Sequence, residues 1–201
     1  MTTQPPPLPP AEELDRIERV FMQRLGARIR ELRLARGYTL LDLTETHGLS
    51  KTWLSQAENG QEAVTARSAV RLAIAFDVEP YELYLEPAAE PPPRAERKQP
   101  IPEALPRTAL THRVAEFRAQ IGRRIYDLRT IQGMSLDMIA ELTGLDRKQL
   151  GFIEAGTSDS AHSIVRIADA IGVMPHELYL PRDQSGIREK KPSRRKRRRG
   201  A

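Results

Sequence analysis

The chain has 201 residues, of which 29% are charged and 5% are aromatic, and its formal net charge is +5. A core with so few aromatic side chains must be built mainly from Leu, Ile, Val and Ala, which favours small helical bundles over sandwiches and barrels. Cysteine is absent, which excludes disulfide scaffolds, cysteine-based zinc sites and cysteine nucleophiles.

An internal repeat organises the chain. Residues 25–60 match residues 121–156 at 13 of 36 positions, and residues 68–85 match residues 163–180 at 11 of 18 positions. Chance would give only a few identities, and a unit of about sixty residues is at the lower edge of what folds alone. We therefore predict a disordered proline-rich N-terminus (1–10), a first domain (11–86), a proline-rich linker (87–110), a second domain (111–181) and a disordered basic tail (182–201).

Each copy is predicted to consist of short helices. Apolar residues at helical spacing extend the first helix upstream to about Ala11. Residues typical of N-caps and left-handed C-caps then mark a second and a third helix: Thr39, Gly48, Ser50 and Gly60 in the first copy, and Ser135, Gly144, Asp146 and Gly156 in the second. A fourth helix is expected near 65–76 and 161–171, and Pro80 and Pro175 suit the first turn of a fifth.

The segment between the copies contains seven prolines in residues 86–110 and has no apolar periodicity. Such a composition is typical of a semi-stiff spacer with polyproline II character. Fully extended, it would reach roughly 75 Å.

The order of helix, cap, short helix, glycine turn, cap and short helix is that of a helix-turn-helix. Its motifs in the first copy are IRELRLARGYTLLDL, HGLSKTWLSQAENG and LAIAFDVEPYELY. The second copy carries IYDLRTIQGMSLDMIAELTGLDRKQLGFIEAG and IADAIGVMPHELY. Together they resemble the phage-repressor-like helix-turn-helix proteins, the Cro and repressor class of XRE type. The resemblance implies an all-α fold with two tandem five-helix lambda-repressor-like domains, whose third helices enter the major groove of DNA.

In the first copy, the third helix carries polar residues where that family contacts bases. Lysine can bond guanine acceptors, glutamine can bond adenine, and threonine can touch a thymine methyl. The base-reading residues expected here are Lys51, Thr52, Ser55 and Gln56, and those matching positions near backbone phosphates are Thr39, Ser50, Asn59 and Arg67.

The second copy is less complete as a DNA reader. Arg147 and Lys148 suit contacts to phosphate or guanine. Phe152, however, stands where the first copy has Gln56, and an exposed Phe would suit either a thymine methyl or a partner surface. DNA binding and protein contact therefore both stay open for this copy.

Both copies depart from the family at the start of the second helix. The family often has Gln there, whereas this chain has Leu40 and Leu136. Together with Leu41 and Phe152, Leu40 is a candidate contact for a protein partner.

Two ion pairs are also implied by the resemblance. Arg33 would pair with Glu58, and Arg129 with Glu154, tying the first helix of each copy to the end of the third. A partly buried pair of this kind is expected to be structural.

Positive charge is concentrated at the C-terminal end, because residues 181–201 contain ten basic and two acidic residues. Such a run can neutralise phosphates without sequence preference. The residues expected to do so are Arg194, Arg195, Lys196, Arg197, Arg198 and Arg199.

No catalytic motif is present. The four histidines lack a second metal ligand at useful helical spacing, and no P-loop, dinucleotide fingerprint or nucleophile elbow occurs. We therefore expect a non-enzyme that needs no metal and no cofactor. The sequence has no apolar run of membrane-spanning length and no secretory signal pattern at residues 1–10, so we expect a cytoplasmic, nucleoid-associated protein without a membrane partner.

The function predicted is sequence-specific binding of double-stranded DNA in transcriptional regulation. Two half-sites one turn apart, roughly 34 Å, would lie within the reach of the linker, so a single chain could imitate a dimer. A homodimer through the extended first helices is also open. The alternatives are an antitoxin-like adaptor that keeps the fold without reading DNA, and a non-specific nucleic-acid binder that depends on the tail.

Overall fold

The computed structural model describes residues 11–181, and these are helical without any strand. The first repeat contains α1 (Ala11–Ala35), α2 (Leu40–His47), α3 (Lys51–Glu58) and α4 (Ala66–Phe76), followed by a 3₁₀ helix (Pro80–Tyr84). The second repeat contains α5 (Arg107–Ile131), α6 (Leu136–Thr143), α7 (Arg147–Glu154) and α8 (Ala161–Ile171), followed by a second 3₁₀ helix (Pro175–Leu178). The predicted all-α fold is confirmed, and the fifth helix of each repeat is a single 3₁₀ turn.

Side-chain caps define the short helices. Thr39 and Asp42 form a capping box at the start of α2, with Thr39 Oγ1 accepting from the Asp42 amide at 3.1 Å and the Thr39 amide donating to Asp42 Oδ2 at 2.6 Å. These bonds satisfy amides that have no partner within the helix. Gly48 ends α2 in the left-handed conformation, at φ 60°, which glycine adopts without steric cost.

Buried residues of both repeats form one cluster. Tyr84 and Tyr179, which occupy the same position in the two repeats, stack with ring centroids 3.7 Å apart. Phe21 and Phe117, also an equivalent pair, flank both tyrosines at 5.8–6.3 Å. Burial raises the pKa of both Tyr84 and Tyr179. The repeats are therefore packed directly against each other through aromatic rings.

The helices exchange partners between the repeats. α4 packs against α5, and its counterpart α8 packs against α1, the counterpart of α5. The N-terminal extension of α1 therefore packs within the same chain, where Phe21, Met22 and Leu25 are buried. The same pair of surfaces meets twice, as in an isologous dimer.

The segment between the repeats, which the sequence predicted as a semi-stiff spacer, lies against the first repeat. The amide of Ala95 donates to the Leu34 carbonyl at 2.9 Å, and the amide of Gln99 donates to the Arg36 carbonyl at 3.0 Å. Carbonyls in and just beyond the last turn of a helix have no amide donor within the helix, so they can accept from another segment of the chain. The spacer stops short of 110, because α5 begins at Arg107. Its docking fixes the path of the chain, while the division into two domains stays a prediction.

Candidate nucleic-acid interface

The outer face of α3 carries the residues predicted to read bases. Lys51, Thr52, Ser55 and Gln56 are all exposed, whereas Leu54 and Ala57 are buried on the opposite side. The face is polar along its length, with hydrogen-bond donors and acceptors suited to base edges in the major groove.

The start of α3 is set by Ser50. Its side chain accepts from the Trp53 amide at 3.4 Å, and Ser50 itself is exposed. A helix N-terminus carries unpaired amides and a partial positive charge, which favour a nearby phosphate. Trp53 is half-buried and packs against the core.

A bidentate ion pair holds α3 against α1. Arg33 Nε lies 2.6 Å from Glu58 Oε1, and Arg33 Nη2 lies 2.8 Å from Glu58 Oε2. Arg33 Nη1 also donates to the carbonyl of Tyr38 at 2.9 Å. The side chains are 11% and 6% exposed, so the pair is shielded from water and fixes the last turn of α3.

The second repeat has the same ion pair. Arg129 Nε lies 2.7 Å from Glu154 Oε1, and Arg129 Nη1 donates to the Met134 carbonyl at 2.6 Å. The hydrogen bond to Glu154 raises the pKa of Arg129. Both repeats therefore orient their third helix by one mechanism.

A close approach of α1 to α3 accompanies the first pair. A Cβ placed on Gly26 would lie 2.4 Å from the Ala57 carbonyl oxygen and 2.7 Å from that of Glu58. Gly122 has the same relation to the carbonyls of Ile153 and Glu154. Glycine is required at both positions because a side chain would push the third helix away.

The outer face of α7 differs from that of α3. Arg147 Nε lies 2.9 Å from Asp137 Oδ1 on α6, with both side chains mostly exposed. Lys148 Nζ lies 5.8 Å from the ring centre of Phe152, and Phe152 is 49% exposed. This face combines cations with an apolar ring, where α3 presents hydrogen-bonding groups.

The phosphate candidates fall into three groups. Thr39 is half-buried and occupied by its capping box, whereas Ser50, Asn59 and Arg67 are exposed. Asn59 follows the last residue of α3, and Arg67 lies in the first turn of α4. The six basic residues of the run 194–199 lie outside the described residues.

The docked linker places two cations next to the start of α2, although the sequence predicted no role for them beyond that of a spacer. Lys98 Nζ lies 2.6 Å from Asp42 Oδ1 at the start of α2, and the Arg94 guanidinium donates to the Gly37 carbonyl at 2.8 and 3.0 Å. Burial alone would raise the pKa of Asp42, but hydrogen bonds from Lys98 and Thr39 outweigh it and lower the pKa to about 2. The basic residues among the prolines were the feature of the sequence that could have indicated this docking.

The proposed apolar contacts are only partly exposed. Leu40 is half-buried and packs against the core, which leaves Leu41, at 53% exposure, as the exposed member of that pair. In the second repeat, Met138 and Phe152 are both exposed.

No helix within residues 11–181 combines the length and apolar character needed to cross a bilayer. Over the same residues, no cluster of three or more His, Cys, Asp or Glu is arranged to hold a metal ion.

Comparison with known proteins places the first repeat in a family. A model of the helix-turn-helix domain matches residues 24–83. The restriction-modification controller protein C.AhdI from Aeromonas hydrophila, known from a high-resolution crystal structure, is 37% identical; the match covers 30% of this chain and 94% of that chain, with a TM-score of 0.30. No curated protein matches the sequence. On the family match and the 37% identity, the chain belongs to the helix-turn-helix family of XRE type.

Proposed function

We propose that the protein is a DNA-binding transcription regulator that reads a specific sequence of double-stranded DNA with α3. The observation that carries this proposal is the outer face of α3. There, Lys51, Thr52, Ser55 and Gln56 are exposed side by side on a helix that is capped at its start and anchored at its end. Rigid presentation of such side chains is what base readout in the major groove requires.

Two further features support a regulatory role. The similarity to a restriction-modification controller protein covers nearly all of that chain, which favours the same general class. Residues 194–199 would add phosphate contacts that raise affinity for any sequence. The protein would act in the cytoplasm, at the nucleoid, and would need no cofactor.

The test begins with selection of duplexes from a random pool at near-physiological salt. Binding to the enriched duplex is then measured by fluorescence anisotropy for the wild type and for the double variant Lys51→Ala with Gln56→Ala. We expect a loss of about tenfold or more, because a good bidentate base contact contributes about 1–3 kcal/mol of discrimination. The double variant should lose less affinity for a random duplex than for the selected duplex.

The matched control removes one cation and one amide from α1 instead. Arg30 and Gln23 are exposed there, so Arg30→Ala with Gln23→Ala has the same charge change. Its affinity for the selected duplex should stay within about twofold of wild type. Equal losses in the two double variants would contradict readout by α3.

A role for the second repeat in protein contact is the second candidate. Tyr126, Ile131, Met138 and Phe152 are all exposed apolar residues of that repeat. If the selection yields no motif while the full chain binds every duplex alike, the tail-driven binder replaces the proposed function. A chain ending at Ser185 should then lose all binding. If neither form binds DNA, the adaptor function is supported.

A further inference from the structure

The contacts between the two repeats are reciprocal, which is the pattern that an approximate two-fold axis within one chain produces. α1 packs on α8 as α5 packs on α4, and the equivalent residues Tyr84 and Tyr179 stack on each other at the centre. In helix-turn-helix regulators that bind as dimers, the two-fold symmetry of the protein is matched by a palindromic site. Here the symmetry of the backbone is present without a second copy.

A rotation about a two-fold axis leaves height along that axis unchanged. α3 and α7 correspond to each other in the repeats, so such an axis would place them at the same level, with their outer faces turned the same way along it. The segments that follow them are in contact, since the Asp159 carboxylate, beyond the end of α7, accepts from the Ala66 amide at the start of α4 at 2.7 Å. A duplex that crosses this side of the molecule would meet both helices.

The outer faces that meet such a duplex are not equivalent. Five corresponding positions differ between the repeats. In chain order, the first repeat has Lys51, Thr52, Ser55, Gln56 and Asn59, and the second has Arg147, Lys148, Gly151, Phe152 and Ala155. The first set can bond base edges through a lysine ammonium, amides and hydroxyls. The second set offers cations, with Lys148 over the Phe152 ring, and an apolar group suited to a thymine methyl.

The symmetric packing surface is already occupied inside the chain. Phe21 of α1 and Phe117 of α5 are buried against the stacked tyrosines. A second copy could not use the same faces without separating the repeats, so the chain carries both halves of the reader itself.

We propose that one copy of the chain occupies a complete, non-palindromic site on double-stranded DNA. α3 reads one half by hydrogen bonds, and α7 contacts the other half through Arg147, Lys148 and Phe152. This inference rests on the proposed function and adds to it the symmetry of the target and the number of chains bound.

The full chain is used for selection from random duplexes, and the mass of the complex on the enriched duplex is then measured. We expect a motif with two unlike halves and one chain per duplex. An enriched palindrome, a motif with a single half, or two chains per duplex would overturn this inference and leave the proposed function standing. Absence of any enriched motif would overturn both.

A variant that makes α7 resemble α3 gives the second measurement. It combines Arg147→Lys, Lys148→Thr, Gly151→Ser and Phe152→Gln. None of these four residues is buried. The wild type should bind the selected site at least about tenfold better than a palindrome built from the half read by α3, because mismatched base pairs each weaken binding by about tenfold or more. The variant should reverse this preference. An unchanged preference, with helix content by circular dichroism equal to wild type, would contradict a role for α7 in readout.

Discussion

The contact of α1 with α3 gives the sharpest structural prediction. Gly26 lies within α1, where alanine would normally stabilise the helix by about 1 kcal/mol. An alanine Cβ at this position would lie 2.4 Å from the Ala57 carbonyl oxygen, however, and 3.4 Å is the lower limit of ordinary contact. The two helix backbones would have to separate by about 1 Å, as the difference between these distances shows.

The net effect can be worked out from these opposing contributions. Overpacking of this kind costs about 1–3 kcal/mol, and the gain in helix propensity offsets about 1 kcal/mol of it. We expect Gly26→Ala to lower the free energy of unfolding by up to about 2 kcal/mol, which corresponds to a fall in Tm of up to about 8 °C in a chain of this size. Because α3 is displaced, affinity for the selected duplex should fall as well.

Gly151 supplies the matched control for thermal unfolding followed by circular dichroism. It lies within α7, and a Cβ there would meet nothing within 4 Å. Gly151→Ala should therefore raise Tm by about 2–4 °C. If Gly26→Ala is as stable as Gly151→Ala, α1 and α3 do not approach as closely as we infer, and the reasoning fails.

Two further predictions concern buried polar groups. Glu58→Ala leaves Arg33 buried without its anion and should cost about 3–5 kcal/mol in urea unfolding. Adding Arg33→Met should restore part of that loss, and strictly additive losses would contradict coupling between the two side chains. Burial lowers the pKa of His47 and outweighs the hydrogen bond to the Pro102 carbonyl, which by itself would raise that pKa. The folded state therefore takes up a proton less readily than the unfolded chain. Stability from this group is present above pH of about 6.5 and is lost as the pH falls towards the lowered pKa. The difference in unfolding free energy between wild type and His47→Gln should therefore change between pH 7.5 and 5.5, and a constant difference would refute this assignment.

Local sequence signals determined the helices of both repeats. Caps such as Thr39, Ser50, Ser135 and Asp146 act within three residues of their own position, so the chemistry that starts a helix is visible in the sequence. The exposed face of α3 could also be predicted, because apolar residues at helical spacing mark the side that must be buried.

The docking of the linker could not be predicted in this way. Its prolines argued against a helix, and residues 86–106 contain neither helix nor strand. Its hydrogen bonds to the carbonyls of Leu34 and Arg36 join residues about sixty positions apart, and composition carries no information about such partners. Leu40 illustrates the same limit, since its half-buried position against the core depends on other helices.

The sequence by itself determined the duplication, the helices and the residues presented by α3, because each depends on a local pattern or on the comparison of two segments. Only the tertiary structure decided how the repeats are placed. The stacking of Tyr84 on Tyr179 joins two residues that look like ordinary core positions of separate units. Packing between distant segments depends on the shape of whole surfaces, which no local pattern encodes.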